Sequence, residues 1–499
     1  MHSMFKAIPV HQRRLLYLVV AIAVLRLLTL GLYPLFDATE ARYAEIARKM
    51  VELNDWITPW YDYGVPFWGK PPLSFWLSAL SIKLLGVSEF AARLPHYLIG
   101  LLVLGLICGW LAQRSREEAV YAVSILAASM LFFVSAGAVM TDMSLTLGCV
   151  LMLRGFWQGL HATAEIKSRE RWLLFLGAAV GLLAKGPVAL VIAGFPMVVW
   201  MLTSSDIKTV FRAFPWLRGV LLTLILVLPW YLLAELRTPG FLNYFIMGEH
   251  WHRFVTPGWH GDQYGHAHHY AHGTIWVFML LALLPWSVLI PLSFLWWEKK
   301  AANDYVEAPN KKWRWFLLLA GLTPCLFFTV SANILWTYGL PGLPLLAMLG
   351  ASYLVADADS IKSSKVLMAG VMMTMLGWIA YLGNMELQNM DEVSTTKGLV
   401  ADFEHRKNAG DSLLFYITRP YSAEFYSTGK AEKVRNQTDL GLLIKKKKAY
   451  VAMPHEQYQL LATSIKNELK LVNHHGRFDL YIAQPEHLAE EMPIAKKLN

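Results

Sequence analysis

Eight residues of a type that can handle a charged substrate are scattered along the chain: Asp37, Glu40, Lys70, Asp142, Lys185, Arg253, Asn333 and Tyr338. Carboxylates can take a proton from an attacking hydroxyl. Fixed cations can hold a phosphate and stabilise charge that develops on it. Together these groups suit chemistry on a substrate with a phosphate and a polar acceptor. Each also has a plainer reading. Lys and Arg beside apolar runs snorkel toward water, and Asp142 can cap a helix. Glu40 opens EARYAEIARKM, an amphipathic segment whose Glu/Arg pairs would suit any surface helix. Lys185 resists that treatment, because AKGP sits between two apolar runs with no other charge nearby in the sequence.

The 249–272 stretch holds seven histidines: His250, His252, His260, His266, His268, His269 and His272. His250-x-His252 and His268/His269-x-x-His272 have metal-ligand spacing. Clustered histidines without cysteines also serve as pH-responsive or hydrogen-bonding surface groups, and the spacing leaves both readings open. A divalent metal is thus the one cofactor candidate, with His250, His252, His268 and His272 as its ligands. There is no GxxxxGK[ST] loop, GxSxG elbow, HExxH helix or GxGxxG turn, which argues against ATP hydrolysis, serine hydrolysis and zinc proteolysis. Cys108, Cys149 and Cys325 all lie in apolar stretches and offer no disulfide framework.

Composition says what must position these groups. Of 499 residues, 56% are hydrophobic and only 16% charged, against about a quarter charged in ordinary soluble chains. That excludes a conventional water-soluble enzyme and points to a polytopic membrane protein. The net charge of +9 comes from short basic clusters between apolar runs. It reads as membrane orientation and contact with anionic lipid, with no nucleic-acid partner.

A spanning helix needs about 20 mostly apolar residues, and eleven apolar runs read as spans, near 15–36, 90–112, 118–137, 143–160, 172–184, 187–203, 217–235, 273–297, 314–330, 335–356 and 365–383. The first is too long for a signal-peptide core and is expected to stay as an anchor. A further run, 73–86, is short and carries Lys83, which suggests an interfacial or re-entrant helix. With the N-terminus inside, every cytoplasmic connection is basic, from Lys6, Arg13 and Arg14 through Arg114, Lys167 and Lys208 to Lys299, Lys300, Lys312 and Lys362. The expected organisation is a transmembrane domain over 1–383, with outer loops at 37–89 and 236–272, and an outer domain over 384–499. The tail alternates strand-like runs (SLLFYI, AYVAM, FDLYIA) with a helix-like one (EQYQLLATSIKNEL), so it reads as a small α/β domain. Its KKKK at 445–448 reads as a solvated charge run. This layout brings the eight chemistry-bearing residues to the outer end of the bundle.

DATEARYAEIARKM, NDWITPWYDYGVPFWGKPPLSFWLSAL and GVSEFAARLPHYL, followed in order by AVMTDMSLTL, LLAKGPVAL, LPWYLLA, GEHWHRF and WTYGLPGLPLLAML, resemble bacterial lipid-linked sugar transferases. These are the aminoarabinose transferases of lipid A and their kin in the protein O-mannosyltransferase-like superfamily. The resemblance spans about residues 15–356. It implies a C-type glycosyltransferase fold of about 11–13 transmembrane helices with juxtamembrane helices. It also implies a donor sugar on a polyprenyl phosphate, undecaprenyl phosphate in bacteria. By that resemblance Lys70 and Arg253 hold the donor phosphate, and Lys185 is a third cation. Tyr338, Arg42, Tyr43 and Asn333 line the cavity. Glu40 is the base and Asp142 a further acid. The sequence departs from the pattern at Thr39, where the family has its first acid and for which Asp37 is the candidate substitute. It departs again at Gly69, which replaces a glutamate, and at NILWTY, which lacks a lysine.

The function expected is transfer of the sugar, with inversion, to an envelope glycolipid such as lipid A, a glycan or a protein, at the periplasmic face of a bacterial inner membrane. The alternative from another class is a transporter or flippase of lipid-linked sugars. Such proteins often carry inverted repeats, and no convincing repeat is visible here.

Overall fold

A computed structural model describes residues 9–204, 207–265, 268–296, 311–357, 360–388 and 394–483. Lys6, His266, Lys299 and Lys300 lie outside the described residues. The chain forms two compact units, one of Met1–Leu30 with Lys49–Ile379 and one of Gly31–Arg48 with Ala380–Asn499.

The first unit is helical. Each apolar run forms helix over all or most of its length, as a chain in hydrocarbon must to satisfy its own backbone. By length and composition, four helices among the described residues are long and apolar enough to span a membrane: Glu89–Ala112, Trp216–Arg237, Trp336–Ala356 and Ser360–Gln388. Helices such as Val10–Thr29 and Asp142–His161 carry Arg26, Asp142 and Arg154, which the protein interior takes up rather than lipid. The run at 273–297 is not one straight span: Thr274–Ala282 and Trp286–Ser293 meet at 78° around Pro285. The 118–137 run also breaks, at Ser129, between Arg116–Ala128 and Met130–Ser135. The two breaks complete each other, since the Met130 N–H donates to the Leu284 carbonyl at 2.9 Å. The 73–86 run is the helix Leu73–Leu85, preceded by a small hairpin of β1 (Trp60–Asp62) and β2 (Val65–Pro66).

The tightest packing joins Asp142–His161 to Ala164–Lys185, two antiparallel helices with a short connection. Glycine makes this approach possible. A Cβ on Gly148 would lie 2.7 Å from the Gly181 nitrogen, and one on Gly155 would lie 2.4 Å from the Leu174 nitrogen. Small residues at such a seam let backbones touch. Because the hairpin is antiparallel, its open end brings Asp142 and Lys185 together.

In the second unit, five strands form a sheet ordered β4 (Ala431–Val434), β3 (Ser412–Tyr416), β5 (Ala449–Pro454), β7 (Phe478–Ala483), β6 (Leu469–His475). Pairs β3/β4 and β3/β5 are parallel; β5/β7 and β6/β7 are antiparallel. Helices pack on both faces around Leu414, Val451 and Tyr481 on one side and Phe403, Leu413 and Leu480 on the other. The EQYQLLATSIKNEL run is not one helix: it makes two short turns, His455–Gln459 and Thr463–Lys466, and then enters β6. Lys445 and Lys446 end the helix Gln437–Lys446, where cations complement the helix dipole.

The segment EARYAEIARKM, expected as a surface helix, is mostly buried within Thr39–Glu52. Glu45 and Arg48 form a two-point pair at 2.7 and 2.8 Å with little exposure.

Candidate functional site

One cavity of about 290 Å³ in the first unit gathers Lys70, Lys185, Arg253, Asn333 and Tyr338. Lys70 comes from the turn between the β1/β2 hairpin and Leu73–Leu85. An aromatic clasp holds that turn. Tyr264 donates its hydroxyl to the Pro66 carbonyl at 2.9 Å and accepts the Trp68 N–H at 3.0 Å. Its ring lies 4.6 Å from that of Phe67. A side chain at Gly69 would meet the Phe67 ring at 2.8 Å, so the glycine goes with this packing. Arg253 follows a π-helical stretch, Tyr244–His252, a form that recurs at functional positions.

The central group is Glu249, to which the sequence reading gave no role. Its carboxylate, 4% exposed, accepts from Lys70 Nζ at 2.7 Å and from Arg253 Nη1 at 3.1 Å. Burial alone would raise its pKa, but the Lys70 ammonium and the Arg253 guanidinium outweigh burial and hold it below the usual carboxylate range. Asp262 adds a second carboxylate at 3.3 Å from Arg253. Lys70 and Arg253 keep 16% and 18% of their side chains exposed. The i, i+4 spacing of Glu249 and Arg253 was a visible signal.

Lys185 does have a charge partner. Its Nζ donates to Asp142 Oδ1 at 2.5 Å and lies 4.6 Å from the centre of the Tyr338 ring. Asp142 is buried and not among the cavity-lining residues. Its link to the cavity runs through Lys185. Asn333 lines the cavity, but its amide is spent on backbone. Nδ2 donates to the Arg253 and Thr256 carbonyls, each at 2.7 Å, and Oδ1 accepts from Gly258 N at 3.0 Å. It clamps the turn after Arg253.

The rest of the lining is largely apolar, with Val188, Val191, Trp251, Phe254, Phe327 and Phe328. From Val191 an exposed stripe continues along one face of Val188–Ser204 through Phe195, Val198 and Leu202. Spacings of four, three and four residues keep these side chains in line. The cavity thus sets three carboxylate-paired cations beside the start of an exposed apolar stripe.

The histidines go elsewhere. His250 directs Nδ1 to the Phe245 carbonyl at 2.8 Å and Nε2 to the Lys185 carbonyl at 3.2 Å, which leaves neither nitrogen for a metal. His252 stacks near Trp259 at 6.2 Å. The His268 carbonyl accepts from Ile334 N, and His272 Nδ1 meets the Thr329 carbonyl at 3.3 Å. Among the described residues no three His, Cys, Asp or Glu side chains group to hold a metal, so the residues present do not fit the metal candidate.

Asp37, Glu40, Arg42 and Tyr43 belong to the second unit. Asp37 is not a spare acid there. Its carboxylate accepts the Ser422 N–H at 3.1 Å and the Ser422 hydroxyl, and its own N–H donates to the Ser394 carbonyl at 2.9 Å. Burial raises its pKa, against those Ser422 bonds. Asp37 ties the first connecting segment to the helix Tyr421–Tyr426. Glu40 lies in the first turn of Thr39–Glu52 and accepts the Phe36 N–H at 3.4 Å. The Arg42 guanidinium lies over the rings of Tyr43 and Tyr421, at 5.3 and 5.8 Å.

Residues 13–245 match the family described as dolichyl-phosphate-mannose-protein mannosyltransferase. An undecaprenyl phosphate-alpha-4-amino-4-deoxy-L-arabinose arabinosyl transferase from Yersinia enterocolitica is 28% identical over 367 residues, 72% of this chain and 62% of that protein. Its counterpart from Serratia proteamaculans is 29% identical over 354 residues, 70% of this chain and 60% of that protein. The chain thus matches about six tenths of the length of these curated relatives. The crystal structure of ArnT from Cupriavidus metallidurans bound to undecaprenyl phosphate shares the fold. Its TM-score is 0.79 at 19% identity, over 94% of this chain and 97% of that one. The apo state of the same protein gives a TM-score of 0.77. The chain therefore has the C-type glycosyltransferase fold and, over residues 13–245, resembles the protein O-mannosyltransferase-like superfamily.

Proposed function

We propose that this protein transfers a sugar from a polyprenyl phosphate, of the undecaprenyl class, to an envelope acceptor. The observation that carries the reading is a cavity that gathers three cations beside Val191, from which an exposed apolar stripe runs on outside it. That combination suits an amphiphile whose phosphate enters protein while its chain stays in lipid. Lys70 and Arg253 take the donor phosphate, and Lys185 and Tyr338 form the adjoining wall. The acceptor attacks the anomeric carbon, the bond from that carbon to the phosphate oxygen breaks, and polyprenyl phosphate leaves with the electron pair. Fixed cations stabilise the charge gained by that oxygen. Attack from the face opposite the leaving group inverts the centre. A hydroxyl acceptor needs a base for its proton, and the motif nominates Glu40.

The basic loops support an N-terminus in the cytoplasm and a cavity opening to the periplasm. The domain division near residue 383 and the eleven-span layout belong to the same proposal. The names of the relatives favour a transferase over a flippase. The test uses purified protein, radiolabelled polyprenyl-phosphate sugars and envelope acceptors. Release of polyprenyl phosphate without a membrane gradient is the expected result. Movement of intact donor across liposomes with no bond cleavage overturns the proposal.

A further inference from the structure

A second cavity, of about 680 Å³, lies at the far end of the helices that carry Asp142 and Lys185. Its lining includes Trp110, Gln113, Arg114, Trp157, His161 and Trp313. These come from the ends of Glu89–Ala112 and Asp142–His161, the linker after Ala112, and the start of Lys311–Thr329. Asp142 and His161 are the two ends of one 20-residue helix, about 30 Å long at 1.5 Å per residue. That length equals the hydrocarbon thickness of a bilayer. The second cavity therefore sits at the headgroup level of the opposite leaflet.

We propose that this cavity binds the phosphate-bearing headgroup of an anionic phospholipid. Tryptophans are common at membrane interfaces because their amphipathic rings settle there. These three instead are 3%, 7% and 2% exposed (Trp110, Trp157 and Trp313) and pack on one another, with Trp313 tilted against Trp157 at 4.6 Å and edge to face with Trp110 at 5.5 Å. The Trp313 indole N–H is buried and meets no acceptor among the described residues. Arg114, 38% exposed, lies over Trp313 at 5.8 Å, with Glu118 as its ion-pair partner at 3.2 Å. Lys167 and Lys312 add positive charge near His161. The last carbonyls of a helix would repel an anion, but here they are taken. The Leu111 carbonyl accepts from Arg114 N and Ser115 N, each at 2.8 Å. The Trp157 carbonyl meets His161 Nδ1 at 3.0 Å, and the Gly159 carbonyl accepts from Arg171 Nε at 3.1 Å. The lining is thus aromatic with Arg114 as its one Lys or Arg side chain among the described residues, and Lys167 and Lys312 add positive charge nearby.

The test is native mass spectrometry on delipidated full-length protein titrated with phosphatidylglycerol, phosphatidylcholine or inorganic phosphate. Wild type should retain one phosphatidylglycerol in preference to phosphatidylcholine. Arg114→Gln, and separately Lys312→Gln at an exposed position, should each weaken it about five-fold, as expected for one cation beside a lipid surface. Arg237→Gln, half-exposed and paired with Asp55, should leave it unchanged. Equal retention by wild type and both variants at 114 and 312 overturns the proposal. Displacement of the lipid by millimolar inorganic phosphate overturns the lipid as source and leaves a soluble phosphate as the ligand.

Discussion

Replacing Lys70 by alanine should do more than delete one phosphate contact. The substitution removes the 2.7 Å bond to Glu249 and leaves that carboxylate, 4% exposed, with Arg253 alone among the cations of the wall. A hydrogen bond to a charged group contributes about 1.5–3 kcal/mol, and breaking a buried pair costs about 3–5 kcal/mol. Arg253 stays within 3.2 Å of Glu249, so the loss in stability belongs near the lower figure, about 2–3 kcal/mol. Donor binding loses a cation and also meets a carboxylate now less neutralised. A lost phosphate contact of about 1.5–3 kcal/mol, at 1.4 kcal/mol per decade, weakens binding by about 10- to 100-fold.

Changing Glu249→Gln in the Lys70→Ala background removes the uncovered charge and keeps the shape. The double variant should recover about ten-fold in binding and lose no further stability, a coupling of about 1–2 kcal/mol. The assay is scintillation-proximity binding of tritiated undecaprenyl phosphate to purified protein, with Tm by nanoscale fluorimetry on all four members of the cycle. If the two single losses simply multiply, Glu249 and Lys70 act independently and the account of a carboxylate-organised cation pair is wrong.

Asp142→Asn should lower Tm and loosen Lys185 while retaining some turnover, since the carboxylate supports the cation and does not line the cavity; complete loss of turnover with unchanged Tm would instead make Asp142 a catalytic group. Asn333→Ala removes three hydrogen bonds from the turn after Arg253, a cost of about 3 kcal/mol at about 1 kcal/mol each, and should speed amide exchange at 254–264; unchanged exchange there refutes the clamp. In the tail, burial opposes ionisation of Asp479 but hydrogen bonds from His474, His455 and Tyr481 lower its pKa, and Arg406, Asn473 and His475 do the same for Asp402. A depressed carboxyl pKa stabilises above the unfolded-state value near 4, and the benefit is lost as pH falls through the folded-state value. Exchange in β6 and β7 should therefore rise below about pH 4, and Asp479→Asn should flatten that rise.

The apolar runs were legible because a bilayer leaves the backbone few alternatives to helix. Their breaks were not, since the partner of the free N–H at Met130 is a carbonyl at Leu284, far along the chain. Lys70, Lys185 and Arg253 could be read from their motifs, and the cavity gathers all three. Their organising carboxylates were harder to read. Asp142 meets Lys185 across 43 residues only because the Gly148, Gly155 and Gly181 seam closes the hairpin. Asp37 looked like a substitute for the acid missing at Thr39. Its real partner, Ser422, is 385 residues away in a tail where local pattern reveals strands but not what they bind. His250 shows the same limit: spacing suggested a ligand, while two backbone carbonyls occupy its ring nitrogens.

Lys70, Lys185 and Arg253 face Glu249, Asp142 and Asp262, so the site is neutral when no donor is bound. An isolated cation in such surroundings would carry a heavy desolvation cost, and pairing avoids it. On the proposed function, donor phosphate is then attracted by the orientation of fixed charges at short range rather than by a net positive field. Raising salt from 0.1 to 1 M shortens the screening length from about 10 to about 3 Å, which still leaves contacts of 2.5–3.3 Å unscreened. The donor KM should therefore change by less than about three-fold over that range, measured in one detergent at constant donor-to-detergent ratio. A ten-fold rise would mean that long-range attraction dominates, and that at least one of the three carboxylates is protonated or displaced in the working enzyme.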